Sequence, residues 1–408
     1  MILKTIYYLL LIATNIYGLY FIIVAIPVIF KKRHKKNIKE HFHYFEILIP
    51  ARNEEHVIGN LINSLKKLNY DKSLYEITVV LNNSTDNTKE KVSSLGVNIY
   101  ECKNKIKSKG DALKEVFASF DSREYIDAYI IFDADNVVDK EFLRHMNTSL
   151  NNGYQVAQGF RDTKNISDNW ISSSYALYYY IQNYFFNKAR SLMNASSSIN
   201  GTGFMIKKEV IDTYGFKTKT LTEDIEFAGL CALNNIKIDF VEEAITYDEQ
   251  PTNFKVSWVQ RKRWSRGCIE CYKNYAFDLI KNMSKNKSCL DLLMLYFAPM
   301  VHVFTILILL LSLIINLTTG DYTSVISKQS IINSIIGSSI IYLAQVIICI
   351  SVVILNKKQL KKYISGILLF PVFMITWLPI NIIILFQKNV KWQHIPHSKD
   401  ITIDEIKG

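Results

Sequence analysis

The sequence predicts an α/β domain with a mostly parallel sheet, with transmembrane helices before and after it. Three observations indicate this fold class. Short apolar strands alternate with amphipathic helical segments between residues 44 and 255. Two aspartates follow one of these strands, at the edge where such sheets bind ligands. Long apolar runs precede and follow this part of the chain.

The first apolar run, Ile2–Phe30, is long enough to cross a bilayer, and the basic block at residues 31–36 follows it. A signal peptide carries its positive charge before its apolar run. This order therefore predicts a retained transmembrane anchor, residues 1–30, whose basic end lies in the cytoplasm. The central domain, residues 44–255, would then be cytoplasmic.

Three further apolar runs, at about residues 292–317, 331–355 and 364–386, predict about three transmembrane segments within residues 291–387. The loop 318–330 holds one lysine and one aspartate, whereas the loop 356–363 holds four lysines. The positive-inside rule therefore places the first loop outside and the second inside. We expect a multi-pass protein of the cell membrane.

The topology of the last apolar run stays open. Four crossings would place the tail, residues 388–408, on the outer face, although this tail carries four lysines. Pro371 and Pro379 interrupt the run, which is then kinked, re-entrant or partly interfacial.

The chain carries a net charge of +11, and 49% of its residues are hydrophobic. A basic excess suits nucleic acid, anionic lipid or polyphosphorylated substrates. Because membrane spans are predicted, lipid headgroups and a nucleotide diphosphate are the expected partners, and nucleic acid is not.

Two strand–loop–helix units open the central domain. The strand at residues 45–50 ends in the loop Pro50, Ala51, Arg52, Asn53 and Glu54, and apolar positions 57, 58, 61, 62 and 65 predict the helix after it. The strand at residues 76–81 leads into a polar turn that contains Asn82 and Asp86. Loops after parallel strands gather at one edge of the sheet.

Two later loops predict phosphate and metal binding. Lys109 and Gly110 stand at the start of a helix, where free amides and the helix dipole favour a phosphate. The strand at residues 129–132 ends in Asp133, Ala134 and Asp135. Two carboxylates at one sheet edge repel each other, and Mg²⁺ or Mn²⁺ that holds a diphosphate would relieve this repulsion. The alternative is an ordinary acidic turn.

Three downstream segments are also candidates for the site. The aromatic stretch at residues 170–186 is typical of a helix that packs in the protein core. The alternative is a surface that stacks against sugars or faces the membrane. A flexible turn that contains Gly201 and Gly203 leads into a strand at residues 204–206. Glu223 and Asp224 follow Thr222 at a helix start, where capping alone would explain Thr222 and one acid. The sharper interpretation is a carboxylate that takes a proton from a sugar hydroxyl.

Residues 256–290 predict an interfacial amphipathic segment, because four cations lie among two tryptophans shortly before the apolar runs. Such a helix can also present Arg263 to a diphosphate and Trp264 to the face of a sugar.

The order Asp86, Asp133-x-Asp135, Thr222-Glu223-Asp224, Gln260-x-x-Arg263-Trp264 resembles the D, DxD, TED, QxxRW pattern of membrane-bound family 2 glycosyltransferases. These include the synthases of cellulose, hyaluronan, chitin and poly-N-acetylglucosamine. The resemblance covers about residues 1–400 and implies a nucleotide-sugar-binding domain of the GT-A type.

The resemblance implies a role for each motif residue. Asp224 would be the general base, with Glu223 beside it, and Asp133 and Asp135 would meet the metal. The remaining residues form two groups. Nucleotide-sugar binding is implied for Pro50, Ala51, Arg52, Asn53, Glu54, Asn82, Asp86, Lys109, Gly110, Asp133 and Ala134; acceptor or diphosphate binding is implied for Gly201, Thr202, Gly203, Gln260, Arg263 and Trp264.

Two further points concern the nucleotide. Many relatives carry Asp where Asn82 stands, so the contact of this position with uracil differs from theirs. Residues 392–397, Trp-Gln-His-Ile-Pro-His, resemble the C-terminal loop that closes over the nucleotide in such synthases.

We therefore expect an inverting transferase that moves N-acetylglucosamine, or glucose, from a UDP-sugar to the end of a growing β-linked polysaccharide, coupled to export. Accessory export proteins would be further partners. One alternative is a single addition to a membrane lipid. Another is an inactive subunit of an export complex.

Overall fold

A computed structural model describes residues 2–31, 41–318, 328–387, 395 and 397–407. Within these residues the strands form one eight-stranded sheet in the order β3-β2-β1-β4-β7-β6-β8-β5. The strands are β1 (Phe45–Ala51), β2 (Tyr75–Leu81), β3 (Asn98–Glu101), β4 (Ala128–Ile131), β5 (Val137–Val138), β6 (Val156–Thr163), β7 (Phe204–Lys207) and β8 (Ile238–Asp248).

The sheet combines a parallel half with a mixed half. β1 pairs in parallel with β2 and β4, β2 with β3, and β6 with β8. β7 runs antiparallel between β4 and β6, and β5 runs antiparallel to β8. The predicted α/β fold with a mostly parallel sheet is confirmed. The parallel half brings the carboxyl ends of β1, β2 and β4 to one edge.

The central strands form because their sequences are apolar on both faces. In β1, Leu48 packs into one core cluster, whereas Ile47 and Ile49 pack into another on the opposite face of the sheet. In β4, Ile130 and Ile131 divide in the same way. Helices cover both faces, which accounts for strands that read as continuous apolar runs.

Helices follow the strands around the sheet and continue beyond it. The helices of the N-terminal segment and the domain are α1 (Ile2–Ala25), α2 (Pro27–Phe30), α3 (Ile58–Lys66), α4 (Thr88–Ser94), α5 (Lys109–Ser119), α6 (Phe142–Asn151), α7 (Trp170–Ile181), α8 (Ala189–Leu192), α9 (Lys208–Tyr214), α10 (Glu223–Leu233) and α11 (Phe254–Asn282). A π-helical turn, Gln182–Lys188, joins α7 to α8, and a 3₁₀ turn, Lys72–Leu74, precedes β2. The C-terminal helices are α12 (Lys287–Thr318), α13 (Lys328–Leu355), α14 (Ile364–Ile375), α15 (Trp377–Phe386) and α16 (Ile403–Lys407), with a 3₁₀ turn, Leu360–Tyr363, before α14.

In the part of the chain that the structure describes, four segments are long and apolar enough to span a membrane, as the sequence predicts: Ile2–Phe30, Lys287–Thr318, Ile332–Leu355 and Leu360–Phe386. They differ in burial. The apolar window of the first two segments is 0% buried, whereas 44% of that in the last segment is buried. The last segment therefore packs extensively against the rest of the protein.

A buried polar contact joins α1 to the domain and to α12. Asp291, near the start of α12, accepts hydrogen bonds from the Tyr20 hydroxyl (2.5 Å) and from Arg190 Nη2 (2.8 Å). The Arg190 guanidinium is fully buried and lies 3.6 Å from the centre of the Phe186 ring. One aspartate thus links three parts of the chain.

Some sequence predictions concern segments that the structure describes only in part. Of the basic block at residues 31–36, only Lys31 is described. In the proposed closing loop at residues 392–397, Trp392, Gln393, His394 and Pro396 lie outside the described residues, and only Ile395 and His397 lie within them.

Candidate active site

A cavity of about 450 Å³ lies at the carboxyl ends of β1, β2 and β4. This is the edge at which open α/β sheets bind ligands. Most of the predicted site residues meet here. Those that line the cavity are Pro50, Ala51, Arg52, Glu54, Asn82, Lys109, Asp133, Ala134, Asp135, Gly201, Glu223, Asp224, Gln260, Arg263 and Trp264. Asn53, Asp86, Gly110, Thr202 and Gly203 are not among the lining residues.

Asn53 and Asp86 connect the loops that follow β1 and β2. Asn53 adopts a positive φ of 57°, and its side-chain oxygen accepts a hydrogen bond from the Thr85 amide (2.8 Å). Asp86 accepts hydrogen bonds from the Glu55 amide (3.2 Å) and from the amide and hydroxyl of Thr88. The loops after β1 and β2 are therefore joined, which holds Arg52 and Glu54 toward the cavity.

Lys109 connects the first aspartate to the glycine turn. Its ammonium donates hydrogen bonds to Asp133 Oδ1 and to the Gly201 carbonyl (2.6 Å). Burial would lower the pKa of Lys109, but Asp133 and Glu223 outweigh this effect and raise it. Lys109 is thus a fixed cation at the position predicted for phosphate binding.

Asp135 is 5% exposed, and its Oδ2 accepts a hydrogen bond from the Glu249 amide (2.8 Å). Burial alone would raise the pKa of Asp135, but His397, Lys164 and this amide together lower it below its ordinary value. His397 contacts Glu54 through its Nδ1 (3.0 Å), and Asp135 and Glu54 raise its pKa to about 10 against the opposing effect of burial. The site therefore keeps Asp135 ionised beside an imidazolium.

The two aspartates suit a hard divalent cation. Asp133 uses one oxygen for Lys109, so its second oxygen is available. Asp135 accepts a hydrogen bond from the Glu249 amide through Oδ2 (2.8 Å) and a long one from Asn136 Nδ2 through Oδ1 (3.4 Å), so Oδ1 is the weakly held oxygen that it can offer. Among the described residues, no group of three or more His, Cys, Asp or Glu side chains could hold a metal ion. Mg²⁺ is commonly held by one or two carboxylates together with substrate phosphates. The donor set here fits such a cation when a diphosphate completes it.

The glycine turn allows a close approach to the acidic pair. Gly201 has a φ of +85°, and a Cβ there would lie 3.3 Å from Asp224 Oδ2. Gly203 has a φ of +61°, and a Cβ there would lie 2.5 Å from Thr246 Oγ1. Thr202 accepts a hydrogen bond from the Asp133 amide (3.0 Å). The turn thus lies between Asp133 and Asp224, which both line the cavity.

Glu223 and Asp224 occupy the first turn of α10. Burial, and next the charge of Asp224, raise the pKa of Glu223 to about 7. Burial also raises the pKa of Asp224, although the Ile225 amide, Lys109 and Arg161 oppose it. A carboxylate with a raised pKa is a better proton acceptor near neutral pH. Gly110 contributes by its size, because a Cβ there would lie 3.1 Å from Glu223 Cβ.

Capping does not explain Thr222, contrary to the simpler interpretation of the sequence. Thr222 precedes α10, but its side chain makes no capping hydrogen bond. It packs instead against α11, where a Cβ at Gly267 would lie 2.0 Å from Thr222 Oγ1. This contact brings the acidic turn next to the helix that carries the QxxRW motif.

α11 presents Gln260, Arg263 and Trp264 to the cavity. Within the described residues, the buried Gln260 Oε1 and Arg263 Nε have no hydrogen-bond partner. Buried polar atoms are normally paired, so these two are suited to receive a ligand. Arg261, on the same helix, donates hydrogen bonds to Thr376 Oγ1 (2.6 Å) and the Phe373 carbonyl (3.1 Å). It thereby fixes the last apolar segment against the motif helix.

Three aromatic rings stand together beside the acids. The rings of Tyr178, Trp264 and Trp377 lie within 21–25° of parallel, with centroids 6.3–6.4 Å apart in each pair. All three residues line the cavity. The aromatic stretch at residues 170–186 thus serves both interpretations, since Tyr175 and Tyr180 are core residues and Tyr178 faces the cavity.

Sequence reasoning missed several lining residues. Arg161 on β6 donates to Asp248 (2.7 Å) and to the Asn200 carbonyl (2.6 Å). Burial, and next Asp135, raise the pKa of Asp248 to about 6 although Arg161 opposes them. The Asn200 side chain is 4% exposed, and no described residue pairs with either of its polar atoms. One signal was present, because Asp248 ends a strand and Glu249 follows it, close to the arrangement of Asp133 and Asp135.

The cavity thus gathers paired carboxylates, fixed cations and stacked aromatic rings. A sequence model of the family described as "Glycosyltransferase like family 2" matches residues 43–267, which include every motif residue above. The chain belongs to glycosyltransferase family 2. The cavity is therefore the candidate active site of a family 2 glycosyltransferase.

Relatives of this family 2 glycosyltransferase are known from several organisms. It is 26% identical over 382 residues to the probable glycosyltransferase YdaM of Bacillus subtilis, a match over 88% of this chain and 87% of the relative. It is 25% identical over 283 residues to a β-monoglucosyldiacylglycerol synthase of Nostoc, a match over 66% of this chain and 59% of that enzyme.

A solved structure supports the fold. The mannosyltransferase PcManGT from Pyrobaculum calidifontis, in complex with GDP-Man and Mn²⁺, superposes with a TM-score of 0.64 at 14% identity, over 95% of this chain and 100% of that one. The GT-A-type fold implied by the sequence motifs is confirmed, and so is membership of a family of nucleotide-sugar-dependent transferases. The roles of individual residues stay predictions.

Proposed function

We propose that this chain is an inverting, divalent-cation-dependent transferase that moves one hexose from a UDP-sugar to a hydroxyl group of a membrane lipid. The observation that carries this proposal is the lining of the cavity. It joins Asp224 and Trp264 to Leu295 and Ala298 of the apolar helix α12. An acceptor can therefore reach the acids from the side of the membrane.

The reaction follows from the residues in place. Asp224 takes the proton of the acceptor hydroxyl, whose oxygen forms a bond to the anomeric carbon as the bond from that carbon to the diphosphate breaks. UDP leaves with the bonding electron pair, and Lys109 and Arg263 face its charge. A single displacement inverts an α-linked donor into a β-glycoside, so a second, nucleophilic carboxylate is not needed.

A divalent cation bound to Asp133 and Asp135 would stabilise the negative charge of the departing diphosphate. The second oxygen of Asp133, and Asp135 Oδ1 with its single long hydrogen bond from Asn136 (3.4 Å), support this assignment. The mannosyltransferase of similar fold was solved with Mn²⁺, which makes Mn²⁺ the first cation to test and Mg²⁺ the second.

The donor is proposed to be UDP-glucose or UDP-N-acetylglucosamine. The relatives that make monoglucosyldiacylglycerol favour glucose. On the nucleotide side, Asn82 lines the cavity where many relatives carry aspartate, and its side-chain oxygen accepts a hydrogen bond from Asn83 (3.1 Å). An amide can pair with uracil through a donor as well as an acceptor.

A growing polysaccharide is the second candidate acceptor. The near-parallel rings of Tyr178, Trp264 and Trp377 favour it, because aromatic faces bind sugar rings. In that case the same acids would extend a β-linked chain, and export would require further partners. An inactive subunit is the least supported reading, since Asp133, Asp135 and Asp224 all line the cavity.

We propose three membrane crossings, by α1, α12 and α13, with the domain on the cytoplasmic side. The fourth apolar segment would return to that side. Before it, Lys358 pairs with Asp162 (2.9 Å); after it, Lys399 pairs with Asp168 (2.9 Å). Contacts of both flanks with one domain support a re-entrant or interfacial segment, for which the interruption at Thr376 between α14 and α15 is suited.

Purified full-length protein in detergent micelles tests the function. It is incubated with Mn²⁺, radiolabelled UDP-glucose or UDP-N-acetylglucosamine, and dioleoylglycerol. The expected product carries one labelled sugar, extracts into organic solvent, contains a β-linkage and disappears with Asp224→Asn. A long water-soluble polymer would favour the second candidate, and absence of any turnover with either donor would overturn the proposal.

A further inference from the structure

One stripe of α12 faces the cavity. Leu295, Ala298, Pro299 and His302 line it, and their spacing of three, four and seven residues from Leu295 places them on one side of the helix. At a rise of about 1.5 Å per residue, the stripe extends the cavity by roughly 10 Å along α12. This part of the cavity lining is therefore mostly apolar.

A polar pair lies where this stripe ends. The side-chain amide of Asn381, on α15, lies 2.7 Å from His302 Nδ1 and joins α15 to α12. Asn381 is 1% exposed, and Trp377 stands one helical turn before it on the same face. Both residues line the cavity. The Trp377 ring lies 6.4 Å from the ring of Trp264, which joins this pair to the predicted acceptor-binding motif.

Each of these two residues has an unused polar atom. Among the described parts of the chain, neither the Asn381 side-chain oxygen nor the Trp377 Nε1 has a hydrogen-bond partner, and both are buried. Whichever way the amide is oriented, His302 engages one of its polar atoms and the other stays available. Buried polar groups in native proteins are nearly always satisfied, so these atoms point to a ligand that satisfies them.

The surroundings define the chemistry of that ligand. The cavity-lining residues of α12, α14 and α15 include no aspartate, glutamate, lysine or arginine. They are Leu295, Ala298, Pro299, His302, Met374, Trp377 and Asn381. Such a wall suits uncharged polar groups that are followed by hydrocarbon. Farther along α12, Leu309 and Leu310 are exposed, as expected of a helix surface that meets acyl chains.

We propose that Trp377, Asn381 and His302 form a second subsite, which binds the ester groups of a glycerolipid acceptor while its free hydroxyl group reaches Asp224. The Trp377 N–H donates to one ester carbonyl. With the Asn381 amide oriented so that its oxygen accepts from His302 Nδ1–H, its Nδ2–H donates to the second ester carbonyl. The subsite rests on the proposed lipid acceptor, because it is the ester linkage that lies between the reacting hydroxyl and the acyl chains. It makes the enzyme select acyl esters over equally apolar acceptors.

The test compares dioleoylglycerol with its dialkyl ether analogue, which keeps the hydroxyl and the chains but lacks both carbonyl oxygens. Initial rates are measured in mixed detergent micelles at varied acceptor mole fraction. Wild-type protein should show a KM for the ester that is lower by about thirtyfold, about what two hydrogen bonds contribute. In Asn381→Leu and in Trp377→Phe the preference for the ester should in each case fall to about fivefold, while the KM for the UDP-sugar stays unchanged.

Controls separate the two proposals. Asn333→Leu changes an exposed asparagine of α13 that pairs with Gln329 outside the cavity, and it should keep the preference for the ester. Trp377→Phe keeps an aromatic ring and removes the N–H donor, so a folded and active variant is expected even if Asn381→Leu unfolds. Equal ester preference in wild type and both variants would overturn the subsite alone. No lipid product from the wild-type protein would overturn the proposed function and the subsite with it.

Discussion

The titration of Glu223 should set the pH dependence of the reaction. Burial, and next the charge of Asp224, raise the pKa of Glu223 to about 7. Above that pH Glu223 is ionised, and its charge makes Asp224 the stronger base. If transfer requires ionised Glu223, about one tenth of the enzyme is active at pH 6 and about nine tenths at pH 8, so kcat/KM should rise about tenfold.

Glu223→Gln removes this titration, and we expect a lower kcat/KM that is nearly constant from pH 6 to 8. UDP release is measured by initial rates at each pH with saturating Mn²⁺. Glu46 supplies a matched control, because burial raises its pKa to about 7 as well, yet it lies at the far end of β1 and does not line the cavity. Glu46→Gln should keep the tenfold rise. A flat wild-type profile, or a rise that survives in Glu223→Gln, would refute the reasoning.

Three further predictions concern stability and metal binding. Because burial raises the pKa of Glu46 from 4.5 to about 7, its stabilising contribution is complete below pH 4.5 and is lost as the pH rises through 7. Glu46→Gln should therefore increase the free energy of unfolding by about 3 kcal/mol at pH 8 and change it little at pH 4.5, as measured by urea unfolding. Asp135→Asn should raise the Mn²⁺ concentration for half-maximal activity about tenfold or more, with the melting temperature nearly unchanged; full activity at wild-type Mn²⁺ levels would contradict the assignment. Gly203→Ala should lower the melting temperature by more than Gly96→Ala. Both glycines have φ near +60°, a conformation that costs a residue with a Cβ about 1–2 kcal/mol. Only at Gly203 would the added Cβ also clash with Thr246.

The parallel half of the sheet was predictable from the sequence. Strands predicted at residues 45–50, 76–81 and 129–132 are observed as Phe45–Ala51, Tyr75–Leu81 and Ala128–Ile131. These strands are buried on both faces, so they appear as uninterrupted apolar runs between polar loops. The antiparallel insertion of β7 between β4 and β6 was not predictable, because the periodicity of a strand does not record which strand it pairs with.

The residues of the candidate site were likewise predictable from the sequence only in part. Residues on loops directly after predicted strands, such as Glu54 and Asp133, line the cavity as expected. Arg161 and Asp248 were missed because each is satisfied by the other across 87 positions of sequence, and local patterns do not show such a pair. Trp377 was missed because it lies in an apolar run whose composition is that of a membrane span.

The contact of Tyr20 and Arg190 with Asp291 has a practical consequence for anyone who shortens this protein. The first helix, α1, contributes to the packing of the protein, because its Tyr20 hydroxyl donates a hydrogen bond to the buried Asp291 of α12, which Arg190 also contacts. A shortened form that begins after residue 40 would leave that carboxylate with the guanidinium alone and expose the fully buried Arg190. Truncation for crystallisation should therefore be paired with a compensating change at Asp291, or the first helix should be retained.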